Sequence, residues 1–171
     1  NHADGFMREL SRVRSEWEDA KTKSQKIYDS DTAAARKRCE DETKRFNNEC
    51  QNNIKKTEER KKTIDTIMNA CSSFVDIVPI DGAKEAKSAA VHEMSIVKEH
   101  SKAVEKAINS KIQAYKDLCS AQIAEAERDR NEKLDRARTE QIDRDAQAER
   151  GYYTKHSNIC DSRRKDIQDG F

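Results

Sequence analysis

A single proline, Pro79, stands in this chain of 171 residues, and only four glycines accompany it. Proline removes a backbone donor and blocks the preceding turn of a helix, while glycine weakens one. A chain with so few breakers can therefore run helical for long distances, and the breakers it has must decide where it turns. Val78-Pro79-Ile80-Asp81-Gly82 is the strongest reversal signal in the sequence, and it predicts a turn between two helices.

Apolar residues on either side recur at helical spacing. Phe6, Leu10, Val13, Trp17, Ala20, Ser24 and Ile27 alternate steps of four and three, the seam of an amphipathic helix. Asp29-Ser30-Asp31-Thr32 follows, small polar residues that favour caps, and reads as a helix start or a kink. The stripe resumes through Cys39, Thr43, Phe46, Cys50, Asn53, Thr57, Ile64, Met68, Cys71, Val75 and Val78. Beyond the turn, Ala86, Ala90, Met94, Val97, Ser101, Val104, Ile108, Ile112, Tyr115, Cys119 and Gln122 or Ile123 keep a period near 3.5. Between 124 and 150 the seam thins to Leu134 and Ile142 among large aliphatics while 16 of 27 residues are charged. That stretch reads as helical and the least securely ordered. Gly151 reads as a helix stop or a weak point, and Tyr152, Tyr153, Ile159, Cys160 and Ile167 restore apolar content.

Composition sets the puzzle. Leu, Ile, Val and Phe number twenty-six, or 15% of the chain, a level at which disorder is the usual outcome when net charge is high. Here the net charge is +1, with 34 basic and 33 acidic residues. Balanced charges on long helices support one another at i,i+4 spacing. The even balance also argues against a nucleic-acid binder, and no apolar run is long enough to span a membrane.

Five cysteines in a chain so poor in large aliphatics point to an oxidising compartment, where disulfides supplement burial. In an antiparallel hairpin centred on Pro79, Cys39 and Cys119 lie level, so this pair is expected to bridge, closing a loop worth about 4 kcal/mol on the chain-entropy account. If the second long helix reverses at Asn131, a third helix returns Cys160 to the level of residue 56 on the first, about one and a half turns from Cys50 and four from Cys71. The expected bridges are then Cys39–Cys119 and Cys50–Cys160, with Cys71 unpaired. The fold read from the sequence is all-α: one domain over residues 1–171, an elongated, disulfide-stapled antiparallel bundle of three to four long helices. Its segments are roughly 32–77, 83–130 and 132–168, with 4–28 as a further helix. Because residues 128–133 hold neither Gly nor Pro, a long two-helix antiparallel hairpin stands as the alternative, and Cys160 then becomes a candidate for linking two chains. The state is a monomer or a disulfide-linked dimer.

Catalytic chemistry is not indicated. His92-Glu93-Met94-Ser95-Ile96 opens like a zinc-protease motif, but Ile96 stands where the second His is required. His92 and His100 are two turns apart, and the cysteines lie on a packing stripe rather than in a cleft. No metal, cofactor or catalytic residue is assigned. The basic triplets Arg36-Lys37-Arg38, Arg60-Lys61-Lys62 and Arg163-Arg164-Lys165 adjoin acidic residues and read as solvated faces. Trp17, Tyr152 and Tyr153 are the candidates for contact with a partner, since aromatic anchors dominate binding surfaces.

The start Asn1-His2-Ala3-Asp4-Gly5-Phe6, which lacks an initiator Met and fits a processed secreted chain, the helical stripe along most of the sequence and the five cysteines together resemble, at the level of type, the cysteine-stapled, all-helical secreted salivary proteins of blood-feeding insects, including the mosquito neutrophil-stimulating kind. The resemblance implies a secreted, extracellular, non-enzymatic protein that binds a host protein or cell-surface receptor and modulates immunity or haemostasis. It assigns no individual residue. The helical-bundle surface receptors of trypanosomes are a weaker likeness. Amphipathic lipid binding is a further alternative, which asks for wider apolar faces than these.

Overall fold

A computed structural model describes residues 2–77 and 84–170, with side chains over 3–70, 88–89 and 91–170. Two α-helices account for the described residues, α1 (His2–Ile77) and α2 (Lys84–Asp169), and no strand occurs among them. The two-helix alternative is thus the one that fits, and the bundle of three to four helices is not formed. Pro79 and the rest of the reversal signal, and the side chain of Cys71, lie outside the described residues.

Three expected interruptions are absent, each for a local reason. At Asn131 α2 continues, because residues 128–133 hold neither Gly nor Pro and Asp129 pairs with Lys133 one turn on, at 2.9 Å. At Gly151 it continues because the lone glycine costs about 1 kcal/mol, far less than many packed neighbours contribute. At Asp29–Thr32 α1 continues too, and the buried Thr32 hydroxyl donates back to the carbonyls of Tyr28 (2.8 Å) and Asp29 (3.2 Å). The cap-forming chemistry of this segment is spent inside the helix. What changes there is the phase of the stripe. Tyr28 rather than Ile27 turns inward, and Ile27 is left 38% exposed.

The chain divides into two compact units, residues 1–40 with 127–171, and residues 41–126. In the first unit α1 and α2 run antiparallel, as Glu16–Lys155, Ser24–Arg144 and Gln25–Gln141 contacts show. The inward residues of α1 are Phe6, Leu10, Val13, Trp17, Ala20, Ser24, Tyr28, Thr32, Ala35 and Cys39. They cover 33 residues in nine steps, 3.67 residues per step. On α2 an equal span runs from Arg130 through Lys133, Ala137, Gln141, Arg144, Ala148, Tyr152, His156 and Ile159 to Arg163. That is an eleven-residue period, closer to the natural 3.6 of an α-helix than the 3.5 of a heptad seam.

The buried positions here are mostly small. Val13, Ala35, Cys39 and Ala137 are the buried apolar residues, joined by Ser24 and Thr32. Residues 124–150, expected to be the weakest stretch, hold Ala126 in the second unit and Ala137 in the first at 5% and 4% exposure. Their buried positions are alanine, which is easily overlooked when only large aliphatics are counted.

The second unit repeats the pattern. Phe46, Cys50, Asn53, Thr57, Lys61, Ile64 and Met68 on α1 face Val104, Ile108, Ile112, Tyr115, Cys119, Gln122 and Ala126 on α2, again in steps averaging 3.67. Thr57 is buried and donates to Asn53 O at 2.8 Å. Across the helices, Lys61 pairs with Glu105 at 3.2 Å.

This unit fixes the register, and with it the cysteines. The numbers of facing residues add to 166 for Lys61–Glu105 and for Cys119–Asn47, and to 165 for Cys50–Tyr115. A hairpin mirrored on Pro79 requires 158, so the mirror lies about four residues later. The error doubles across the pair. Cys119 meets Asn47 and Cys50, whereas Cys39 belongs to the other unit. The expected Cys39–Cys119 bridge is therefore not formed. The expected Cys50–Cys160 bridge depended on the Asn131 reversal and is not formed either. Cys39, Cys50, Cys119 and Cys160 are all free thiols, and Cys50 and Cys119 approach within 4.2 Å.

Candidate interaction surface

Trp17 takes its inward place on α1 in the first unit, and Tyr152 takes the matching place on α2. Their rings stack with centroids 4.6 Å apart and planes 19° from parallel. One residue on from Tyr152, a rotation of about 100° along a helix carries Tyr153 out of the seam, and it is 58% exposed. Its ring still meets Tyr152 edge-on at 5.3 Å and Trp17 at 6.5 Å. His156, one turn further, lies 5.7 Å from Tyr152. The three aromatic candidates named from the sequence thus form one cluster, and His156 extends it. The i,i+4 spacing of Tyr152 and His156 is the signal that could have found this fourth member.

Charge frames the rings. Lys21 places its ammonium 4.1 Å from the centre of the Trp17 ring, a cation–π contact worth about 0.5–1 kcal/mol at an exposed site. Lys155 pairs with Glu16 at 3.2 Å beside it. Below the cluster a groove of about 160 Å³ is lined by Val13, Ala20, Ala148 and Gly151 together with Trp17 and Tyr152. Gly151 leaves this floor open, since a methyl group there meets nothing within 4 Å. The indole Nε1 of Trp17 is buried and finds no acceptor among the described residues. The cluster is therefore packed on one side, polar at its edges and open at Tyr153.

The other sequence candidates are drawn into local pairings. In the triplets, Lys61 is held by Glu105 and Arg164 lies 3.8 Å from Asp161, while Arg163 lies over the Phe6 ring at 5.7 Å. A shallow groove of about 300 Å³ in the first unit has Ala35 and Ala137 as its floor and Asp31, Arg38, Lys133, Arg136 and Glu140 among its walls. Asp129, close by, is held below the usual carboxylate range, first by its hydrogen bond from Lys133 and then by the charges of Lys133, Arg38 and Arg136. His92 and His100 are exposed. Among the described residues no group of three or more His, Cys, Asp or Glu is placed to hold a metal ion, and no helix is long and apolar enough to cross a membrane.

No protein-family model matches this chain, and neither a curated protein nor a solved structure matches it.

Proposed function

We propose that the protein is a secreted, non-enzymatic interaction protein that binds a host protein or cell-surface receptor and modulates immune or haemostatic responses. The observation that supports this reading is the aromatic cluster. The only tryptophan of the chain and two of its four tyrosines gather on one face of the first unit, with Tyr153 open to solvent. Large rings supply contact area at low entropic cost, and a ring already stacked on its neighbours loses little further freedom on binding. Lys21, Lys155 and Glu16 give the rim a mixed charge suited to orienting a partner.

The test is a binding screen of the intact chain against plasma proteins and leukocyte-surface proteins, followed by substitution. Tyr153→Ala is expected to weaken binding at least tenfold while leaving the helical circular dichroism unchanged, because Tyr153 is mostly exposed. Leu118→Ala, an exposed apolar change in the second unit, is expected to leave affinity within twofold. A partner that binds Tyr153→Ala and the native chain equally refutes the role of the cluster.

A further inference from the structure

We propose that Cys50 and Cys119 form a redox-active pair, a modification site in the second unit where a low-molecular-weight disulfide converts two thiols into a cross-link between α1 and α2. The geometry carries the proposal. Cys50 and Cys119 approach within 4.2 Å, and each occupies an inward position of its helix. Helices packed at an axial separation of about 8–10 Å, with Cα atoms about 2.3 Å from each axis, leave about 3.4–5.4 Å between level Cα atoms. Cys50 stands three residues along α1 from Asn47, which is level with Cys119, a stagger of about 4.5 Å, so the two Cα atoms lie about 5.6–7 Å apart, toward the upper end of the range a disulfide spans.

The two thiols differ in ways that give them different roles. Cys50 is half-buried, and its Sγ donates to Tyr115 O at 3.5 Å. Cys119 is buried, and its Sγ donates to Asn47 Oδ1 at 3.4 Å. Burial, and then the neighbouring Cys50, push the Cys119 thiol above its ordinary pKa, so it holds its proton longer. Cys50 is the accessible sulfur and reacts first. Its thiolate attacks the oxidant RS–SR, the S–S bond breaks, one RS⁻ leaves and takes up a proton, and a mixed disulfide remains on Cys50. Cys119 then loses its proton and attacks the Cys50 sulfur, expelling the second RS⁻. One dithiol and one RS–SR become one protein disulfide and two RSH, so the two electrons lost by the cysteines reduce the reagent. Cys50 and Cys119 share the second unit, whereas Cys39 and Cys160 belong to the first.

The experiment uses the full chain, reduced, freed of reductant and exposed to oxidised glutathione at neutral pH, with non-reducing tryptic mass spectrometry as readout. The expected product joins the peptide 46–55 to the peptide 117–128, with a loss of two titratable thiols. Cys119→Ala is expected to trap glutathione on Cys50, because the resolving thiol is gone. Cys50→Ala is expected to slow glutathione incorporation at position 119 at least tenfold, because the accessible sulfur is gone. Raising the pH from 7 to 8.5 is expected to speed ring closure more than tenfold as Cys119, whose thiol is held above its ordinary pKa, yields its proton. Stable glutathione on Cys50 in the native chain, or a principal cross-link through Cys39, Cys71 or Cys160, overturns the proposal. All of these readouts are independent of any partner, so a failed binding screen and a failed cross-link are told apart.

Discussion

Val13 is the test of how so small a core holds the first unit together. It is 2% exposed, whereas Ile142, a larger side chain on α2 of the same unit, is 58% exposed. Val13→Ala removes two buried carbons, about 1.6 kcal/mol of transfer free energy at about 0.8 kcal/mol per methylene. The space it leaves adjoins the groove under Trp17 and Tyr152 that Val13 already lines, so collapse or hydration keeps the added cavity cost small. The expected total is about 2 kcal/mol, and at roughly 2–4 °C per kcal/mol for a chain of this size the melting temperature falls by about 4–8 °C. Ile142→Ala removes three carbons, yet less than half of that surface is buried, and alanine is the better helix former by a few tenths of a kcal/mol. Its expected cost is about 0.5 kcal/mol. Urea denaturation followed by circular dichroism at 222 nm, with the two variants side by side, decides the matter. An Ile142→Ala variant that loses as much stability as Val13→Ala would show that position in the eleven-residue period does not govern burial, and the packing argument would fall.

Three further changes probe other parts of the structure. Gly151→Ala is expected to stabilise the chain by about 1 kcal/mol, since the helix gains propensity and the added methyl meets nothing within 4 Å; thermal melts check it, and a loss of stability would mean the groove floor is occupied. Arg144 donates through Nε to Ser24 Oγ and through Nη2 to Ser24 O, both at 3.2 Å, so Arg144→Ala leaves the buried Ser24 hydroxyl unpartnered at a cost of about 1–3 kcal/mol. Adding Ser24→Ala is expected to recover part of that loss, and a strictly additive double-mutant cycle would deny the coupling. Asp129, depressed first by its hydrogen bond from Lys133, contributes stability that is present at pH values above the ordinary carboxylate value and is lost as pH falls through its lower folded value. In Lys133→Gln the Asp129 side-chain carboxyl is expected to titrate nearer the ordinary carboxylate value by NMR, and an unmoved midpoint would refute that pairing.

Helix and stripe were legible in the residues because both depend on local spacing. Phe6 to Ser24 on α1, Phe46 to Met68 on α1 and Val104 to Cys119 on α2 all point inward where their spacing places them. The interruptions were misread because cap-forming residues and a lone glycine carry the same composition whether or not a helix stops. Thr32 bonds to carbonyls of its own helix, and the choice between that and a cap is made by what packs above it. Register was misread for a different reason. A proline shows where a helix must stop, but the level at which two helices face one another follows from interdigitation along the seam, and a shift of four residues at the mirror moves every partner by eight. The aromatic cluster survived because Trp17 and Tyr152 are stripe residues and their meeting tolerates a turn of error, while the cysteine pairing did not, because a disulfide tolerates about an ångström.

The scarcity of Leu, Ile, Val and Phe also acquires a physical meaning. Where the inward positions are alanine, serine, threonine and cysteine, two backbones can approach closely, and dispersion between the backbones replaces part of what large side chains supply elsewhere. Burial then costs little side-chain entropy, since alanine has none to lose. A period of 3.67 suits this arrangement, because each α-helix keeps near-natural winding and still returns an inward residue to the seam at every step. Cys50 and Cys119 are themselves small inward residues, and they approach within 4.2 Å. A bulkier seam at that level would hold the helices too far apart for the sulfurs to join. Substituting Thr57, the nearest buried small residue on α1, by leucine is therefore expected to slow Cys50–Cys119 cross-linking by oxidised glutathione at least fivefold, and cross-linking at the native rate would show that helix spacing does not set the reach of the pair.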